Sequence, residues 1–192
     1  MKKRGRGIGL SFYGTGYGNG FPDVSKAKVV LHEHGKVGIY VGATEVGQGA
    51  KTALRQIGAE TLGLNMEDII FVSEDTSLMP DAGTAAASRQ TYNTGNAIKV
   101  ACENFRDELI NIGQKELNLN SNRGLKVKGG EVYLEFFPQK VISFVELSEK
   151  YGDGEIQVEG EFIAQTVEMD PETGQGAPYW PYTFNACGVE LE

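Results

Sequence analysis

The sequence predicts an α+β fold, a mixed sheet with two main helices. Short β-branched segments alternate with period two, and two longer stretches carry apolar residues at helical spacing. Strands and helices also follow one another without the steady strand–helix–strand rhythm of a doubly wound sheet. With 192 residues, 40% of them hydrophobic, the chain fits one domain or one lobe of a larger one.

Residues 26–32 read as a strand with Val29 and Leu31 on one face. Glu33-His34-Gly35-Lys36 is turn-like, and Val37, Ile39 and Val41 alternate with Gly38, Tyr40 and Gly42 in a returning strand. A helix is expected over 51–62, where Leu54, Ile57, Gly58 and Leu62 share a face and Gly63 is the stop. Residues 69–73 form a short buried strand. Ile98, Ala101, Cys102, Phe105, Leu109 and Ile112 give the clearest helical stripe, over 96–117, with a loop at 119–123. Strands at 125–128 and 131–136 flank Gly129-Gly130 as a hairpin, and Ser143 caps a short helix over 143–150. Residues 156–168 are strand-like, 170–182 a Pro/Gly-rich loop, and 185–191 a final strand. A chain that stops inside such a strand is expected to be a piece of a longer polypeptide.

The net charge of −8 argues against a nucleic-acid or anionic-membrane partner. The one basic cluster, Lys2-Lys3-Arg4 with Arg6, is expected to be a solvated, frayed end. Two cysteines, Cys102 and Cys187, are too few for a disulfide scaffold or an iron–sulfur cluster, and both read as reduced core thiols. Neither a signal peptide nor a long apolar run is visible, which points to the cytoplasm. Glycine is abundant, at 26 residues, and aperiodic, so it marks loops.

Two of those loops matter most. Thr44-Glu45-Val46-Gly47-Gln48-Gly49-Ala50-Lys51-Thr52 and Gly83-Thr84-Ala85-Ala86-Ala87-Ser88-Arg89 are both rich in small residues and both run toward predicted helices. Small residues let backbone N–H groups approach a ligand, and a helix N-terminus adds donors and a positive dipole end. A large, polar, anionic cofactor is the expected ligand. The first loop misses the phosphate-loop register, because Gln48 stands where lysine is required. The glycine run at 14–20 leads through Phe21-Pro22-Asp23 into a strand, so it reads as a structural turn and not a dinucleotide fingerprint. His32 and His34 read as a surface turn with no third metal ligand indicated. Arg89 is expected to pair with Glu74 or Asp75, or with a phosphate. Tyr179-Trp180-Pro181-Tyr182 would line a ligand channel or pack on a neighbouring domain. Two histidines in one turn assemble no nucleophile system.

The run Gly42-Ala43-Thr44-Glu45-Val46-Gly47-Gln48-Gly49, with Val72-Ser73-Glu74-Asp75-Thr76, Pro80-Asp81-Ala82-Gly83-Thr84, Ala87-Ser88-Arg89 and Thr94-Gly95-Asn96, resembles the molybdopterin-binding subunit of the xanthine dehydrogenase/aldehyde oxidase family. The resemblance extends upstream through residues 5–9 and 14–22 and downstream through 182–190, covering nearly all of 1–192. It implies a partial molybdenum-cofactor-binding domain, part of the second lobe. Val46, Gly47 and Gln48 would contact the cofactor, with Gln48 bonded to ligands of the molybdenum centre. Ala86, Ala87 and Ser88 would lie against it, with the Ala87 backbone nearest the metal and Ser88 a donor. The implied reaction is hydroxylation of a purine, N-heterocycle or aldehyde at an electron-poor carbon, with water as oxygen source. Iron–sulfur clusters and FAD would sit on other chains or domains. The family's glutamate base has no counterpart before Glu192, so no catalytic residue is assigned and the isolated chain is expected to be inactive. Implied partners are the remaining molybdopterin lobe, iron–sulfur and flavin subunits and a small-molecule substrate, with no nucleic acid and no membrane. A non-catalytic scaffolding lobe and an unrelated phosphate-binding module are the alternatives.

Overall fold

The computed structural model describes residues 3–18, 21–179 and 181–192. In chain order the strands are β1 (Gly5–Gly14), β2 (Val24–Leu31), β3 (Val37–Tyr40), β4 (Ile69–Val72), β5 (Leu125–Lys128), β6 (Glu131–Leu134), β7 (Phe137–Ser143), β8 (Gln157–Ile163) and β9 (Tyr182–Leu191). The helices are α1 (Ala50–Leu62), α2 (Gly95–Glu116) and α3 (Phe144–Tyr151). The chain divides into two compact units, one of Val24–Ala85 with Gln90–Ile163 and one of Met1–Asp23, Ala86–Arg89 and Ala164–Glu192.

The larger unit is built on a mixed sheet of order β4-β3-β2-β8, parallel only between β3 and β4. Both main helices form where the apolar spacing requires, and Gly63 ends α1 in the left-handed conformation (φ 66°). The stripe from Ile98 to Ile112 lays α2 along β2 and β8 and against α1, burying Phe105 and Leu109 completely. Gly160 on β8 permits this approach, since a Cβ there would run into the backbone of Ala101. Cys102 is buried as expected, and burial pushes its thiol up to about 12. α3 carries a complete capping box: Ser143 Oγ accepts from Glu146 N at 3.2 Å, and Glu146 accepts from Ser143 N at 2.7 Å.

Three sequence expectations change here. The β5–β6 hairpin continues into β7, giving an antiparallel meander of order β5-β6-β7. Pro138 masks that third strand in the sequence, and it is tolerated because β7 is an edge strand. Strand β8 ends at Ile163, five residues before the expected end. The second helix is preceded by a π-turn, Gln90–Thr94.

In the smaller unit, β1 and β9 pair antiparallel over ten positions, from Gly5↔Leu191 to Gly14↔Tyr182. Within the basic start, Arg4 and Arg6 are solvated as expected but not frayed: Arg6 pairs with Glu190 at 3.2 Å and Arg4 with Glu192 at 3.5 Å. Cross-strand pairing places Ile8, Leu10, Phe12 and Phe184 on one face, all at least 64% exposed. Cys187, on the other face, is exposed and not a core thiol. Lys2 and Trp180, both named in the sequence reading, lie outside the described residues, as do Asn19 and Gly20 of the glycine run.

Candidate functional site

The loop between β3 and α1 is organised by Glu45. Its carboxylate accepts from the backbone N–H of Gly47 (2.7 Å), Gly49 (3.0 Å) and Lys51 (3.1 Å). These bonds, that of Lys51 foremost, hold the carboxyl below the usual carboxylate range. Gly47 and Gly49 supply the positive φ values (97° and 81°) that let the backbone curl round it. The helix N-terminus was expected to face an external anion, and the chain supplies its own.

With the backbone donors turned inward, the loop presents its side chains. Val46 is 73% exposed, and Gln48 is exposed too. Gln48 Oε1 accepts from Val46 N at 2.7 Å, while Nε2 donates to Thr44 O (3.1 Å) and Gln90 Oε1 (2.6 Å). Gln90 in turn donates from Nε2 to Thr44 O at 3.0 Å. The Gln48 amide thus uses both of its donors and one of two acceptor sites. Gln90 was missed in the sequence. Its only local signal was a polar residue directly after Arg89, and its buried position comes from the π-turn.

The second predicted segment, Ala86-Ala87-Ser88, falls in the smaller unit. Ala87 (φ 51°) and Ser88 (φ 56°) are consecutive L-residues in the left-handed region, at about 1–2 kcal/mol each. The surroundings hold them there. Arg89 N donates to Ala86 O at 3.2 Å, and Gly16 N to Ala87 O at 2.9 Å. The Arg89 side chain is 1% exposed, donates from Nε to Asp23 Oδ1 at 2.5 Å, and lies 5.6 Å from the centre of the Tyr17 ring. Asp23 also accepts from Tyr17 N at 3.3 Å.

Arg89 therefore makes a structural ion pair, but with Asp23 and not with Glu74 or Asp75. Those two carboxylates are used locally: Glu74 pairs with Lys51, and Asp75 accepts from Ser77 N and Oγ at 2.9 and 2.6 Å. Ala87 forms part of the wall of a cavity of about 500 Å³ with Phe12, Tyr13, Tyr17, Tyr179 and Tyr182. Tyr179 and Tyr182 are thus both on the wall of this concave surface. His32 bridges Asp153 and Tyr40 at 2.8 Å each, tying the first hairpin to the segment before β8. Among the described residues no group of three His, Cys, Asp or Glu side chains is placed to hold a metal ion.

The family described as "Molybdopterin cofactor-binding domain" matches residues 1–192. An aldehyde oxidoreductase of Megalodesulfovibrio gigas is 37% identical over 193 residues, covering 98% of this chain and 18% of the relative. A probable xanthine dehydrogenase subunit of Bacillus subtilis is 30% identical over 196 residues, covering 99% and 24%. The solved structure of the Desulfovibrio gigas aldehyde oxidoreductase superposes with a TM-score of 0.71 at 26% identity, over 98% of this chain and 18% of that one. This chain thus spans about a quarter or less of these proteins.

Proposed function

This chain belongs to the molybdopterin cofactor-binding domain family, and from that premise we propose that it forms part of the molybdenum-cofactor subunit of a xanthine dehydrogenase-like hydroxylase. The bound cofactor supplies the oxidising centre for hydroxylating a purine, N-heterocycle or aldehyde at an electron-poor carbon, with water as oxygen source. Val46, Gly47 and Gln48 contact the cofactor from one loop, and Ala86, Ala87 and Ser88 from the other. The Ala87 backbone is nearest the metal.

The braced Val46-Gly47-Gln48 segment carries this reading. It is exposed and rigidly hydrogen-bonded, and a Cβ built at Gly47 or Gly49 meets nothing within 4 Å, so a ligand has room against the backbone. With both Nε2 donors committed, Gln48 Oε1 keeps a second acceptor site for a hydroxyl or N–H group of the ligand. The turn at Ala87 and Ser88 adds support, because strain of this kind is concentrated at binding sites. The phosphate-binding alternative loses its donors at α1, where Glu45 takes the backbone N–H groups and Glu74 takes Lys51.

No catalytic residue is assigned to this chain. The base, the remaining molybdopterin lobe, the iron–sulfur clusters and FAD belong to other segments or subunits, and the isolated chain is inactive. The β1–β9 ribbon supports that partnership. A two-stranded ribbon is marginal alone, and this one exposes Ile8, Leu10, Phe12 and Phe184 for another layer to cover. Among the described residues no helix is long and apolar enough to cross a membrane. The proposed location is cytoplasmic, without nucleic-acid or membrane partners.

In the full-length enzyme Gln48→Ala is expected to lower kcat about a hundredfold with molybdenum content retained; wild-type turnover would remove Gln48 from the site. Ala87→Leu is expected to abolish molybdenum loading, measured by metal analysis, and normal content would contradict the placement of that turn.

A further inference from the structure

We infer that Gln90 is a positioning residue whose role is to lock the side-chain amide of Gln48 in one orientation; the inference rests on the assignment of Gln48 to the cofactor. Position 90 is 9% exposed, and packing alone would be served there by an apolar side chain. A buried amide is tolerated only when its polar atoms are bonded, and both ends of this one are used. Oε1 takes a proton of Gln48 Nε2 at 2.6 Å, and Nε2 donates to Thr44 O at 3.0 Å, the same carbonyl that takes the other Gln48 donor.

The three groups close a ring of hydrogen bonds, and the bond from Val46 N to Gln48 Oε1 completes it at 2.7 Å. Rotating the Gln48 amide by half a turn would set its NH2 against the Val46 N–H. Its oxygen would then face Thr44 O, and Gln90 Oε1 would lose its donor. Only one orientation satisfies every group. The π-turn Gln90–Thr94 sets Gln90 at the start of the segment that leads into α2. Such turns give up regular helical hydrogen bonding and gather at functional sites. The same turn is anchored at its far end, where Thr94 Oγ1 lies 3.3 Å from Ser25 Oγ.

The test uses the full-length, cofactor-loaded enzyme and the variant Gln90→Met, which keeps the volume and removes both hydrogen bonds. Three results are expected. In crystals of the variant, Gln48 leaves the rotamer that joins it to Thr44. kcat falls by up to about a hundredfold, as for a misplaced binding group, while molybdenum content stays at the wild-type level. The double variant Gln48→Ala/Gln90→Met is no slower than Gln48→Ala alone, because Gln90 acts only through Gln48. An unmoved Gln48 in the crystal, or losses that multiply in the double variant, would overturn the inference. Wild-type turnover in Gln48→Ala would sink the cofactor assignment instead, while the crystallographic rotamer would still judge Gln90.

Discussion

The two small-residue loops look alike in the sequence and are held in opposite ways. In the loop of residues 44–52 the unusual backbone angles fall on Gly47 and Gly49, which adopt them without steric penalty, and a carboxylate four residues from Gly49 closes the structure locally. In the loop of residues 83–89 the same angles fall on Ala87 and Ser88, which resist them, and the closure comes from Asp23, 66 residues away from Arg89. The backbone of the first loop is relaxed and closed by its own Glu45, and distant residues bond mainly its side chains, as Gln90 does Gln48. The second is strained and depends on tertiary contacts. Small residues next to a helix can therefore mean either a permissive backbone or one forced into place, and side chains elsewhere decide which.

Removing the clamp is the strongest way to break this contrast. Asp23→Ala removes the carboxylate from a buried ion pair and leaves the Arg89 charge in place, so it should destabilise the turn by about 3–5 kcal/mol. Hydrogen exchange at the Gly16 and Arg89 amides, which bond Ala87 O and Ala86 O, reads the loss directly. The pair Asp23→Leu/Arg89→Met should recover much of it. Equal exchange in Asp23→Ala and the wild type would mean that the turn needs no clamp.

Next in size come two exchanges of opposite sign. Ala87→Gly should stabilise its turn by about 1 kcal/mol, since glycine accepts φ 51° without strain. Gly49→Ala should cost about 1 kcal/mol, all of it conformational, because a Cβ there meets no other atom. Matching signs in the two loops would erase the distinction between them.

The smallest effect is a pH dependence in the first loop. Glu45 has its folded pKa depressed, so its contribution is complete above the unfolded value, about 4.3, and is lost as pH falls through the lower folded value. Protection of the Gly47, Gly49 and Lys51 amides should fade over that acid range, and Glu45→Gln should show no such dependence. Protection in the second loop should not follow Glu45 at all.

Much of this protein was legible locally. The stripe from Ile98 to Ile112, the Gly63 stop, the Gly129-Gly130 hairpin and the Ser143 cap each lie within one element, and period and capping chemistry act over a few residues. The candidate segments Val46-Gly47-Gln48 and Ala86-Ala87-Ser88 were visible as small-residue loops and through the family resemblance. Glu45 was local as well, yet its role was overlooked, because a glycine loop before a helix was read as open to a ligand.

Tertiary structure decided the rest. The sequence by itself determined where helices and turns form, because those signals depend on neighbours three or four residues apart. Only the folded chain could bring Gln90 to Gln48 across 42 residues, Asp23 to Arg89 across 66, and Gly5 beside Leu191 at the ends of the ribbon. Each of these pairs satisfies polar groups that local structure leaves open, and no local pattern announces which distant residue will arrive to do so.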